Sequence, residues 1–161
     1  MPDESQPTRA VRTERVNRIV APTELTDPPA RVWTDEQWER IQLGYRPYDM
    51  DEKWKVFAEG RIVYIHRSWK GRGIYEATFA QAEGGWRIAS AIVESDGSCY
   101  RRRSDEYDRV MLELVLSSIV LGEPATELRE ALVELQRTES GSQDLPTGVV
   151  LHSSLGLRSG N

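Results

Sequence analysis

The chain has 161 residues, of which 39% are hydrophobic and 29% charged, and its net charge is -5. That length suits one domain with something left over, and the acidity argues against generic binding to duplex nucleic acid, which needs a basic surface. The single cysteine, Cys99, excludes an intrachain disulfide framework and a Cys-rich zinc site.

No apolar run approaches the roughly 20 residues that span a bilayer. The opening Met1-Pro2-Asp3-Glu4-Ser5 is acidic and is not read as a secretory signal. With one cysteine, the expected location is cytoplasmic. Residues 1–30 carry five prolines and no aromatic, so a disordered or loosely docked arm is expected there. Within it only Val16 to Val20 has the pattern of a short strand.

The folded domain is expected over residues 31–137. It begins with a helix. Thr34 and Gln37 have capping-box spacing, Asp35 and Glu36 sit at the positive end of the dipole, and Trp33 and Trp38 occupy staple positions. Ile41 extends the apolar stripe, and Gly44 and Pro47 end it.

Four strand patterns follow, at Trp54–Phe57, Arg61–Arg67, Ile74–Ala80 and Trp86–Val93, separated by Glu59-Gly60, Lys70–Gly73 and Gly84-Gly85. Such short connections make an antiparallel meander. Alternation puts Ile62, Tyr64 and His66 on one face and Val63, Ile65 and Arg67 on the other. It also groups Tyr75, Ala77 and Phe79, and places Trp86, Ile88 and Ile92 in phase.

Ser104 is the expected N-cap of the next helix. Its apolar rows (Tyr107, Val110, Met111, Leu114 and Val115, flanked by Leu112, Leu116 and Val120) are too wide for one packing partner. Gly122 and Pro124 end it and start another, with a stripe of Leu128, Ala131, Leu132 and Leu135. Residues 138–161 are rich in Ser and Gly and are expected to form a flexible tail, with Val149-Val150-Leu151 as the exception. The fold class is therefore α+β: a four-stranded antiparallel meander covered by helices, between flexible N- and C-terminal tails.

Chemistry-bearing residues concentrate between Arg61 and Tyr75. Arg67, Trp69, Lys70, Arg72 and Tyr75 form a basic and aromatic corner suited to an anion, with an indole to stack on a ring or support a cation. The alternative is a structural one, in which Arg67 pairs with Asp51 or Glu52 and Trp69 closes the core. His66 is the one candidate acid or base, with Ser68 two residues along the same face. The bland alternative is a half-buried histidine on a backbone carbonyl.

Two histidines, His66 and His152, and the acidic turn Asp49–Glu52 do not make a metal set, and no cofactor is called for. Gly71 and Gly73 suit a hairpin better than a phosphate loop. The triplet Arg101-Arg102-Arg103 precedes an acidic helix start, which reads best as a self-compensating surface.

The run Asp51-Glu52-Lys53-Trp54, then His66-Arg67-Ser68-Trp69, Gly71 and Ile74-Tyr75, resembles a small bacterial domain of unassigned function. That domain carries the signature D-x-K-W…H-R-S-W-x-G-x-x-I-Y. The likeness covers roughly residues 38–121. It implies a loose association with multidomain proteins that process ADP-ribose or related nucleotides, and it implies no catalytic residue.

The leading expectation is a non-enzymatic binding or accessory module. It would hold an anionic small molecule, with a nucleotide in view, or a partner protein at the corner. Two others stand beside it: an enzyme acting on a nucleotide or ADP-ribose-like substrate through His66, and an antitoxin-like interaction domain that dimerises through Leu128–Leu135.

Overall fold

The computed structural model describes residues 18–49, 51–68, 71–100, 104–140, 146–156 and 158. The expected α+β class is found, with an antiparallel sheet of five strands rather than four. The strands are β1 (Pro22–Glu24), β2 (Trp54–Glu59), β3 (Ile62–Arg67), β4 (Gly73–Ala82) and β5 (Gly85–Glu94), in the spatial order β1-β5-β4-β3-β2. β2 to β5 are the meander. The added strand lies in the stretch expected to form an arm, and it starts after the Val16–Val20 pattern. Its first two residues, Val16 and Asn17, lie outside the described residues.

β1 is held by a distant carboxylate. Glu94, at the end of β5, accepts hydrogen bonds from the backbone N–H groups of Val20 at 2.6 Å, Ala21 at 2.8 Å and Asp96 at 3.0 Å. Burial alone would raise this carboxyl's pKa; the three N–H donors outweigh it and hold the group below the usual carboxylate range. A carboxyl held low in the folded chain stabilises it above the unfolded pKa of about 4.3, and the contribution is lost as pH falls through the lower folded value. Glu94→Gln is expected to cost about 1–3 kcal/mol at pH 7 in urea unfolding. It should also flatten the loss of stability between neutral and acid pH. An unchanged acid limb would contradict the assignment.

Helix α1 (Asp35–Leu43) carries the expected capping box, with Gln37 N donating to Thr34 Oγ1 and Thr34 N donating to Gln37 Oε1. Gly44 ends it at φ 75°. Trp38 and Ile41 are buried on the sheet. Trp38 packs between Phe79 and Trp86, at centroid distances of 4.5 and 5.1 Å.

The alternation of β3 is as expected. Val63 and Ile65 join the main core, while Ile62 and Tyr64 pack with Phe57 on the opposite face. In β5 the expected phase fails halfway. Thr78 pairs with Ser90 but Phe79 pairs with Ile88, so Ala89 is an extra residue. A bulge of one residue exchanges the faces beyond it. Ile88, Ala91 and Val93 therefore fill the core, and Ile92 does not follow Ile88 into it.

Helix α2 (Asp105–Leu114) starts at Ser104, whose hydroxyl accepts from Tyr107 N at 3.1 Å. It continues as a wider π-helical stretch, Val115–Val120, in which every residue is buried. This explains the apolar rows that exceed one face.

A helix end leaves carbonyls without intrahelical donors. Here arginines from separate segments reach that end. Arg40 Nη2 donates to Leu121 O at 2.9 Å and Arg158 Nε to Ile119 O at 2.7 Å. Arg31 donates to Ser117 Oγ at 2.9 Å while also gripping Glu123 through both oxygens, and Arg129 bonds Ser118 Oγ.

Helix α3 (Thr126–Ser140) packs on α2. In the stretch expected to form a tail lies a further helix, α4 (Thr147–Ser154), followed by the fully buried Leu155. It packs on α3, and its last carbonyl, that of Ser154, accepts hydrogen bonds from sheet residues, contacts that composition does not reveal. Among the described residues no helix is long and apolar enough to cross a membrane.

Candidate functional site

The sheet ends in a corner where β2 begins and β3 finishes. Trp54 and Arg67 are direct cross-strand partners there, on the helix-covered face. The guanidinium of Arg67 stands 4.8 Å from the centroid of the Trp54 ring, a cation–π arrangement. Arg67 Nη1 donates to the carbonyl of Ser154 at 3.0 Å, and Trp54 Nε1 donates to the same oxygen at 3.1 Å. Two side-chain donors from adjacent strands thus converge on one acceptor. Burial pulls the guanidinium's pKa down, and the nearby phenols of Tyr107, Tyr100 and Tyr75 act in the opposite direction.

Beside Arg67 lies a buried polar network. Tyr75, fully buried, donates to Asp108 Oδ1 at 2.8 Å, and Tyr100 donates to the same oxygen at 2.6 Å. The two hydroxyl oxygens are 3.0 Å apart. Each phenol has one proton, so both protons point at the carboxylate. Asp108 itself is fully buried, in the first turn of α2, where the helix dipole favours an anion. Burial drives both phenol pKa values well above the ordinary one, and the phenols' mutual contact and Asp108 add to this for Tyr75.

The other expected site residues take different places. Arg72 Nη1 reaches Cys99 Sγ at 2.8 Å, in the turn after β5. Trp69 and Lys70 lie outside the described residues, as does Arg101-Arg102-Arg103. Of the proposed ligand-binding group, Arg67 and Tyr75 come together, and Arg72 is engaged elsewhere.

His66 is buried, with Nδ1 2.8 Å from the Gly71 carbonyl and its ring tilted on Phe57 at 5.0 Å. Ser68 Oγ donates to the Glu52 carbonyl at 2.5 Å, and its N–H to the Lys53 carbonyl at 2.8 Å. Glu52 is buried; its carboxylate accepts from the Tyr45 hydroxyl and from Tyr48 N at 2.6 Å. Among the described residues no group of three or more His, Cys, Asp or Glu is placed to hold a metal ion.

The stripe expected to dimerise faces inward. Leu132 belongs to the main core, and Leu128 and Leu135 pack against it.

Trp54, Tyr100, Asp108 and the Ser154 carbonyl take part here without having been among the expected ligand-binding residues, although Trp54 belongs to the D-x-K-W motif. Asp108 did leave a trace. It stands at helical spacing with Met111, Leu112 and Val115, an acid in an apolar row. Ser154 left none, because a main-chain carbonyl has no residue signature.

The motif residues Trp54, His66, Arg67, Ser68, Gly71 and Tyr75 thus all take part in internal hydrogen bonds at this one corner. Chemically, the corner receives an acceptor, the Ser154 carbonyl. No protein-family model matches the chain, and no curated protein and no solved structure is similar to it at a significant level.

Proposed function

We propose that the chain is a non-enzymatic binding or accessory module of the cytoplasm. It holds an anionic small molecule, with a nucleotide as the first candidate, or a partner protein at the corner formed by Trp54 and Arg67. The observation that carries this reading is the convergence of Trp54 Nε1 and Arg67 Nη1 on one acceptor oxygen. The guanidinium and the indole N–H are the paired donors that a phosphate or carboxylate would take in place of the Ser154 carbonyl. The burial of His66 against Phe57 supports the non-enzymatic form over one that uses His66 as acid or base. The resemblance of the D-x-K-W…H-R-S-W run makes nucleotides the first probes.

Thermal-shift titration with ADP, ADP-ribose and inorganic phosphate tests the reading. At 100 times the Kd, a ligand specific for the folded state adds about 2.7 kcal/mol, or roughly 5–10 °C for a domain of this size. Arg67→Lys keeps a charge and a donor but loses the planar fork, so it should weaken the shift, and Arg67→Ala should remove it. No shift with any of the anions, with Arg67→Ala doing nothing but unfold the chain, would count against the proposal.

A further inference from the structure

The face of the sheet away from the helices carries a row of side chains that crosses every strand. Cross-strand pairing lines up Phe57, Tyr64, Glu76, Ile92 and Glu24, and residues directly opposite each other share a face. Burial along the row is uneven. Phe57 is 0% and Tyr64 5% exposed, Glu76 and Ile92 are half-buried, and Glu24 is exposed.

Phe57 lies on β2, the last strand of the sheet, flanked on its outer side by the single bridge between Val56 and Tyr45. Strand side chains stand roughly perpendicular to the sheet, so neighbours in the sheet cover the flanks of a ring and leave its top open. Among the described residues the apolar cluster on this face consists of Phe57, Tyr64 and Ile62, all from strands. Trp38, Ile41 and the apolar residues of α2 belong to the core on the other face. The complete burial of Phe57 therefore calls for a further layer.

We infer that this face is a docking surface for the chain's own residues 1–17, which precede Arg18 and lie outside the described residues. Three observations select this occupant. The chain enters the sheet at Val20 and Ala21, both bonded to Glu94, and the Pro22–Glu94 pair stands only two residues from the row. Four strand spacings, about 19 Å, separate β1 from β2, and seventeen residues span about 25 Å even at the short rise of a helix. The segment offers Val11 and Val16 to the two rings, and Arg9, Arg12 and Arg15 outnumber Glu14 beside them, which complements the Glu76 and Glu24 carboxylates of the row. The surface is opposite to the one that holds Trp54 and Arg67, so this inference and the anion reading fail independently.

Nuclear magnetic resonance on the wild-type chain tests it directly. Overhauser contacts should join the methyl groups of Val11 or Val16 to the ring protons of Phe57 or Tyr64, and their absence overturns the inference. Chemical modification gives a second reading. Tetranitromethane should nitrate Tyr64 at least about tenfold more slowly than the exposed Tyr48. The full chain carrying Val11→Asp and Val16→Asp should lose that protection, while the core residue Tyr107 keeps its own. Trp69→Ala, two residues beyond β3, should leave Tyr64 protected. Protection that survives the two valine substitutions overturns the inference. So does protection lost with Trp69→Ala alone, which would make residues 69–70 the cover, or lost on dilution, which would make it a second copy of the chain.

Discussion

Replacing Trp54 by alanine is expected to lower stability by about 3–5 kcal/mol, the range for removing a large buried aromatic from a core. For a domain of this size that is a drop of roughly 10–15 °C in Tm. The side chain is nearly inaccessible, stacks with Tyr75 at a centroid distance of 6.1 Å, supports the Arg67 guanidinium, and binds the Ser154 carbonyl. Its loss therefore removes apolar contact and one of the two donors that hold the end of α4. Trp54→Phe separates these roles, because it keeps a ring and discards the indole N–H. It should cost about 1–2 kcal/mol and speed exchange at Leu155 more than at Ile65. Urea unfolding and amide exchange provide the measurements. A cost below 1 kcal/mol for alanine would show that the corner lies outside the cooperative core.

Asp108→Ala is expected to cost about 3 kcal/mol, close to the penalty for stranding buried polar groups. The hydroxyls of Tyr75 and Tyr100 both donate to Oδ1 of this residue. Without it they can bond only each other, which leaves one buried proton with no acceptor. Asp108→Asn retains a carbonyl oxygen and should cost about half as much. Combining Asp108→Ala with Tyr75→Phe should be clearly less than additive, since the partners belong to one network.

The same network predicts an alkaline limit. Burial is the first cause that raises both phenol pKa values in the folded chain; Tyr100 and Asp108 add to it for Tyr75, and Asp108 adds to it for Tyr100, whose bond with Tyr75 acts the other way. Their neutral forms are favoured by folding. That contribution is intact below the ordinary tyrosine value of about 10 and falls away as pH rises through the folded-state values. Tyr75→Phe should be less sensitive to pH there than the parent chain.

Local signals are legible in the sequence where both ends of an interaction are close in the chain. Thr34 and Gln37 are three residues apart, and their reciprocal bonds form as expected. Strands β2 to β5 follow from alternation and tight turns. The face assigned to Arg67 is also correct, because it needs only a period of two.

What sequence reading missed depends on distant partners. β1 is anchored by a carboxylate more than 70 residues away, and no pattern near Pro22 records that. Ala89 shifts the phase of β5, but a bulged alanine looks like any other alanine. The destination of the Arg67 side chain was illegible for a similar reason. Its acceptor is a main-chain oxygen 87 residues further on. The stripe on α3 was visible as apolar, yet periodicity cannot say whether the surface that covers it belongs to the same molecule.

Trp54 and Ser154 are separated by 100 residues along the chain. At translation rates of about 5–20 residues per second, the carbonyl leaves the ribosome roughly 5–20 s after the indole that binds it. The sheet can pair during this interval, because the meander is local, while Trp54 and Arg67 still lack their acceptor. Every newly made copy therefore passes through a period of seconds in which the indole N–H and the guanidinium are met by water, before the carbonyl that binds them exists.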